Sequence, residues 1–341
     1  MQKPSPMKNA LYYDRVGQNI VRCKLCPHYC VINEGKRGAC RVRKNVGGDL
    51  YTEIFEKVAA YGSDPIEKKP LYHFYPGSKI LSIGTIGCNL KCSFCQNYRI
   101  SQVSPDEFDN FKLFSTEELV QIALNDENNL GVAFTYSEPG IAYEYMYEIA
   151  KGALNTRLKT VMVTNGYINK APLLRLLPYI DAFNVDLKAF SENFYHKMTH
   201  AKLEPVKNSI RIIAQSESHL ELTNLVIPGM NDDYEEFEEM VRWIADETGK
   251  DTPLHLSRYF PAFKQNLAAT PVNTLLDLFE IAVRHLNYVY LGNLADTRRS
   301  STFCSKCHQR VIDRSGYYTE ISGLDKKGNC TNCHHHIIDN I

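Results

Sequence analysis

Tryptophan occurs once in the 341 residues, and no stretch of eighteen apolar residues is present. Without such a run there is no candidate transmembrane helix. The start, Met1–Ala10, holds no apolar core of an export signal, so the expected compartment is the reducing cytoplasm. Net charge is also missing, since 39 basic residues balance 39 acidic ones. No global field therefore draws the chain to nucleic acid or to an anionic membrane. The stretch Lys36–Lys44 is locally basic and reads as a solvated loop. The apolar share of 44% is ordinary, and the length admits one large domain with one or two small modules.

Cysteine is plentiful, with eleven in the chain. In a reducing compartment that number points to metal or cluster sites over disulfides. They fall as Cys23, Cys26, Cys30 and Cys40; then Cys88, Cys92 and Cys95; then Cys304, Cys307, Cys330 and Cys333. The middle group reads Cys88-Asn89-Leu90-Lys91-Cys92-Ser93-Phe94-Cys95, directly after the apolar run Lys79–Ile86. Three thiolates this close can ligate three irons of a cubane cluster and leave the fourth open to a small molecule. A zinc knuckle is the competing reading, but zinc wants four ligands and no fourth cysteine or histidine is near. The first group sits in a segment too poor in apolar residues to fold around its own core. A bound zinc or an auxiliary cluster would close it, with a structural metal preferred. In the last group, paired C-x2-C knuckles separated by twenty-two residues form a zinc-ribbon signal. The β-prone Val311-Ile312 and Tyr317–Ile321 would supply its hairpin. Each knuckle is followed by histidine, as in c-type haem attachment, a reading that would require export. His334-His335-His336 reads as exposed.

From Lys79 onward, short β-rich runs alternate with amphipathic segments of helical length, the mark of a parallel βα architecture. Strands are expected near Lys79–Ile86, Leu130–Thr135, Lys159–Thr164, Ala182–Leu187, Leu220–Ile227, Leu254–Tyr259 and Tyr288–Leu291. Seven strands fall short of a closed eight-stranded barrel, so a partial, open barrel is expected. One helix should start at the Ser115-x-x-Glu118 capping box, and another, Asp233–Glu247, carries Phe237, Val241 and Ile244 on one stripe. Ligands sit beyond the carboxyl ends of such strands. There the chain places the cysteine trio, Thr135–Gly140, Thr164-Asn165-Gly166, Asp186-Leu187-Lys188, Val226–Gly229 and Arg258–Pro261. The expected division is an N-terminal four-cysteine module (1–64), the barrel (65–300) and a ribbon-like module (301–341).

The trio spacing, with Phe94 before its last cysteine, resembles the signature of radical S-adenosylmethionine (SAM) enzymes, and residues 65–292 resemble those of the pyruvate formate-lyase-activating type. The resemblance implies an α/β fold, a partial (β/α)6-type barrel, with Cys88, Cys92 and Cys95 on a [4Fe–4S] cluster whose fourth iron SAM would chelate. It implies that Phe94 lies against the adenine and that Asn97, Ser137 and Glu138 serve SAM binding. The family's Gly-Gly-Glu-like segment is here Tyr136-Ser137-Glu138, so only Glu138 carries over with force. Asn165, Asp186 and Lys188 match positions that contact the ribose and the SAM carboxylate. The chain from Cys23 onward is most similar to the radical SAM component of the AmmeMemoRadiSam system. That likeness rests on Cys23–Cys30, Asp64–Tyr72, Cys92–Asn97 and the C-terminal cysteines, and it implies Memo-like and AMMECR-like partners. The implied chemistry is reductive cleavage of SAM to a 5′-deoxyadenosyl radical that abstracts hydrogen from a protein or small molecule. The electron would come from a flavodoxin or ferredoxin, at a potential near roughly −400 mV. An RNA-modifying radical enzyme is the alternative within the class, against which the neutral charge speaks. A non-catalytic electron carrier is the alternative outside it, and would leave the residues after the second to fourth strands without a use.

Overall fold

Strictly alternating side chains give a strand two faces, and in a parallel sheet both are covered. The computed structural model describes residues 7–341, so residues 1–6 of the polar start lie outside the described residues. Among the described residues the main sheet has eight strands: β1 Ala60–Pro65, β2 Lys79–Gly84, β3 Asn129–Phe134, β4 Lys159–Thr164, β5 Ala182–Asp186, β6 His219–Val226, β7 Leu254–Arg258 and β8 Val289–Gly292. They stand side by side in chain order. β1 runs antiparallel to β2, and every later neighbour pair is parallel. No pairing joins β8 to β1 among the described residues, so the barrel is partial and open, as expected.

β2 to β8 match the seven expected runs. β1 was not expected, because Ala-Tyr-Gly-Ser-Asp-Pro has little apolar alternation. It is an edge strand, where Pro65 forfeits no interior ladder bond. The sheet therefore begins at Ala60, ahead of the division expected at residue 64.

Helices α1 Thr116–Asn125, α2 Tyr143–Ala153, α3 Lys170–Leu176, α4 Leu203–Ala214, α5 Tyr234–Thr248 and α6 Val272–Ala282 fill the connections. Ser115 caps α1 as its capping box requires: its Oγ accepts from the Glu118 N–H (3.1 Å), and Glu118 Oε2 accepts from the Ser115 N–H (2.7 Å). α5 buries Phe237, Val241 and Ile244 together with Met240. Leu81, Ile83, Val132, Phe134, Met162, Phe183 and Val185 pack with these helices. The alternate positions Ile80, Ala133, Val161 and Ala182 instead meet Ile66, Leu71 and Phe74, so the segment between β1 and β2 plugs one end of the barrel. Its Lys69 is buried and donates from Nζ to Asp64 Oδ2 (2.6 Å), which also accepts from Tyr136 Oη (2.6 Å).

The C-terminal strands β9 Thr302–Phe303, β10 Arg310–Ser315 and β11 Tyr318–Ile321 form an antiparallel sheet that closes over the plug. Arg314 is buried and donates to the Tyr72 carbonyl (2.6 Å) and Thr302 Oγ1 (2.8 Å). Next to it Glu221 accepts from the Tyr72 and His73 N–H groups and from His219 and His255 Nε2, at 2.6–2.9 Å. The N-terminal module consists of two small antiparallel sheets. The basic stretch is no uniformly solvated loop. Arg43 is 1% exposed and pairs with Glu144 on α2, while Arg37 pairs with Glu53 and Asp106.

Burial alone would raise the pKa of Glu221, but His219 and His255 override it and hold the carboxyl well below the usual range. Burial pushes His73 down to about 3. Both folded-state values lie below the unfolded ones of about 4.3 and 6.5, so the unfolded chain binds more protons in acid. Stability should fall as pH drops below about 6.5 on account of His73, and further below about 4.3 on account of Glu221. Glu221→Gln should cost about 1–3 kcal/mol at neutral pH, because its new N–H₂ would face donors and leave a buried donor unsatisfied, read as a lowered urea midpoint. An unchanged midpoint would contradict the role given to this carboxylate.

Candidate active site

Because β2 to β5 run parallel, the loops that follow them gather at one end of the sheet. The cysteine trio follows β2, and the turn into it passes through Gly87 at φ 86°. A Cβ there would lie 2.7 Å from Val42 Cγ1 and 2.8 Å from the Cys40 carbonyl, so only glycine fits where the two cysteine segments touch. Three backbone bonds pin the trio loop to two other segments. Its Lys91 N–H donates to the Thr199 carbonyl (2.9 Å) and its Ser93 N–H to Met198 (3.2 Å), while the Ser93 carbonyl accepts from the Lys264 N–H (2.9 Å). Leu90 N–H donates to Cys88 Sγ (3.3 Å), and Cys95 Sγ lies 3.1 Å from Ser101 Oγ.

The loops after β3, β4 and β5 meet this one. Glu138 is buried, and its Oε1 accepts from the Gly140 N–H (2.8 Å) and Thr164 Oγ1 (2.7 Å), its Oε2 from the Asn165 N–H (2.8 Å). Asn165 Nδ2 then donates to Asn89 Oδ1 (2.9 Å) and approaches Cys88 Sγ at 3.6 Å. Ser137 Oγ is buried without a partner. Lys188 Nζ lies 2.8 Å from Asp186 Oδ2, and the Lys188 N–H donates to Tyr195 Oη (3.1 Å). Burial favours a neutral Lys188, but the charge and hydrogen bond of Asp186 act against it and its pKa is raised, so the residue is a fixed cation. Burial pushes Cys92 up to about 12, with Lys188 acting against that rise. Cys88 is raised by burial and by the Glu138 charge. The bare Cys88 and Cys92 thiols are held protonated, and bound cations would reverse that preference.

Of the residues expected from sequence, Cys88, Cys92, Cys95, Ser137, Glu138, Asn165, Asp186 and Lys188 come together at this end. Phe94 is buried, with its ring 5.9 Å from that of Phe194. Asn97 is exposed and donates from Nδ2 to the Tyr136 carbonyl (2.6 Å). Sequence reasoning missed Tyr195, Ser101 and Asn231. Asn231 Nδ2 donates to the Lys188 carbonyl at 2.6 Å. Only the polar character of Asn231 after Ile227-Pro228-Gly229 hinted at such a role.

At the far end, the Sγ atoms of Cys304, Cys307, Cys330 and Cys333 all lie within 4.8 Å of one another and could hold a metal ion. Each knuckle turns through its following histidine, His308 at φ 60° and His334 at φ 57°. These histidines shape the knuckles. His334 and His336 are exposed, and His335 is half-buried, 3.0 Å from Ser305 Oγ.

A parallel, open βα sheet with three cysteines beyond its second strand defines the class. Residues 82–244 match the family model of the radical SAM superfamily. The chain is 39% identical over 321 residues to the uncharacterized protein MJ0808 of Methanocaldococcus jannaschii, covering 94% of this chain and 95% of that one. It is 24% identical over 161 residues to the 4-hydroxyphenylacetate decarboxylase activating enzyme of Clostridium scatologenes, 45% of this chain and 52% of that one. It thus spans about half the length of that relative. Among solved structures, a radical SAM methyltransferase from Sphaerobacter thermophilus shares the fold, with a TM-score of 0.51, 15% identity, and 70% and 71% of the two chains covered. The chain carries a radical SAM domain and is an enzyme of that class, one that implies a [4Fe–4S] cluster and SAM. Among the described residues no helix is long and apolar enough to cross a membrane.

Glu138→Gln should be more than a local change. One oxygen becomes an N–H₂ facing donors, which leaves a buried donor unsatisfied at about 1–3 kcal/mol. We expect a lowered thermal midpoint and, through the displaced Asn165, SAM affinity weakened at least tenfold by calorimetry. Wild-type affinity in this variant would contradict the link from Glu138 to Asn165.

Proposed function

We propose that Cys88, Cys92 and Cys95 hold the [4Fe–4S] cluster and that the enzyme cleaves SAM reductively, in the manner of an activating enzyme. The observation that carries this reading is the convergence of the Glu138–Asn165 and Asp186–Lys188 loops on the trio. The donor set fits. Three thiols share one loop, Asn165 Nδ2 lies at Cys88, Ser137 Oγ has no other partner, and the Asp186 side chain is 36% exposed beside the fixed Lys188 cation. When bound, cluster and SAM supply a 5′-deoxyadenosyl radical for hydrogen abstraction from a protein or small molecule. The chain's own residues bind and orient. Lys188 offers its charge to a carboxylate, Asp186 accepts from hydroxyls, and the clamped trio loop excludes water. Asp186 and Lys188 act as binders, not as acid and base. The quoted stretches Cys23–Cys30, Asp64–Tyr72 and Cys92–Asn97 support placement in the AmmeMemoRadiSam branch, with Memo-like and AMMECR-like partners. We also propose zinc at the C-terminal quartet and a cytoplasmic setting.

An electron donor of the flavodoxin or ferredoxin class would dock beside the trio. A groove of about 600 Å³ there is lined by Arg41, Lys91, Arg99, Lys264 and His200, with Tyr98 and Phe263 stacked 4.8 Å apart. Such a cationic face steers an acidic carrier.

Reconstituted anaerobically and reduced with dithionite, the wild type should form 5′-deoxyadenosine from SAM, and the Cys88→Ala/Cys92→Ala/Cys95→Ala variant should form none. A fully loaded wild type that neither binds SAM nor makes the product would overturn the reading. Arg99→Glu should slow reduction by flavodoxin several-fold and flatten its salt dependence while leaving dithionite-driven turnover intact. Equal slowing with both reductants would remove the groove from the account.

A further inference from the structure

We infer that Cys23, Cys26, Cys30 and Cys40 hold a second [4Fe–4S] cluster, each thiolate on a different iron, and not a zinc ion. Of the two readings left open by the sequence, this takes the auxiliary cluster over the preferred structural metal, and it stands apart from SAM cleavage at the trio.

The first ground is a comparison within the chain. One zinc with Zn–S bonds of about 2.3 Å sets its four sulfurs on a tetrahedron with edges of about 3.8 Å. The C-terminal quartet is drawn to that size, with Cys304 and Cys333 Sγ 3.5 Å apart and Cys307 and Cys330 Sγ 3.6 Å apart. It is the group whose ligand atoms all fall within 4.8 Å among the described residues, and neither the N-terminal quartet nor the Cys88 trio is drawn so tight. The N-terminal cysteine segments nevertheless converge, since the Cys23 N–H donates to the Cys30 carbonyl at 2.9 Å and Ala39, next to Cys40, donates its N–H to Cys30 Sγ at 3.3 Å. Four cysteines gathered in one module but spread beyond tetrahedral spacing suit the corners of a cubane, where each binds its own iron.

The second ground is the surroundings. Cys30 Sγ accepts the Ala39 N–H at 3.3 Å. Such bonds to sulfur stabilise and tune a cluster. Arg43 is 1% exposed and lies in electrostatic range of Cys23, Cys40 and Cys26. It spends Nη2 on Glu144 and the Leu11 carbonyl, while its Nε and Nη1 have no partner. A buried guanidinium with two free donors beside four thiols calls for an anionic metal–thiolate assembly, which cluster and zinc both supply, so the sulfur spacing decides between them.

With all four irons ligated by cysteine, this cluster has no open position for substrate, so it is a one-electron site. It backs onto the trio: the Cys40 carbonyl presses on Gly87, and His28 Nε2 donates to the Asn89 carbonyl at 2.7 Å.

The full-length Cys88→Ala/Cys92→Ala/Cys95→Ala variant, reconstituted anaerobically with iron and sulfide, tests this. It should keep about four irons and four sulfides per chain and give a paramagnetic resonance signal when dithionite adds one electron. Adding Cys26→Ser and Cys30→Ser should abolish iron and signal, while about one zinc per chain at the C-terminal quartet reports an intact fold. Loss of all iron in the triple variant, or two zincs per chain and no cluster, would overturn the inference. Neither result depends on whether the wild type cleaves SAM.

Discussion

The parallel direction of β2 to β5 is the constraint on which the site depends. Residues far apart in sequence become neighbours only because four consecutive strands end on the same side. Glu138, Asn165 and Lys188 each belong to a different βα connection, and each is held by its neighbour's loop. Asn165 takes its position from the Glu138 carboxylate and hands it on to Asn89 and Cys88. A shift of one residue in any of these pairings would exchange inward and outward side chains and dissolve the chain of contacts.

The opposite end needs closing, because an open parallel sheet exposes its inner face. Ile66, Leu71 and Phe74 fill it, and the ribbon seals them through Arg314 and Thr319, whose Oγ1 donates to Glu67 Oε1 at 2.7 Å. Buried charge is used here for positioning. Glu221 collects two backbone N–H groups and two histidines, so the plug can take only one orientation. The three cysteine groups then have distinct mechanical settings: one pinned by loops at the working end, one packed behind it through Arg43, and one binding the cap together.

Much of this was legible because periodicity and spacing are local properties. The seven parallel strands, the Ser115 box, the α5 stripe and the contracted C-terminal quartet follow from short-range pattern. β1 was hidden, because an edge strand of small and polar residues has no alternation to read. Arg43 was hidden for a related reason: a cation in a basic stretch reads as solvated unless the partner is known, and Glu144 lies 101 residues away. Tyr195 and Asn231 touch the site through backbone groups of Lys188, contacts that no residue pattern encodes. Glu138 was expected at the site from its place after the second expected strand, and its three bonds to its own chain make it the part that sets Asn165.

The central claim is that the trio leaves one iron free for SAM. Electron–nuclear double resonance on the reduced wild type, with SAM labelled at its amino nitrogen and at its carboxylate oxygen, addresses it directly. The account predicts hyperfine coupling from both labels to the cluster spin, with the coupling lost in the Cys88→Ala/Cys92→Ala/Cys95→Ala variant. A reduced, fully loaded cluster whose spectrum does not respond to SAM, or a response that survives in that variant, would contradict it.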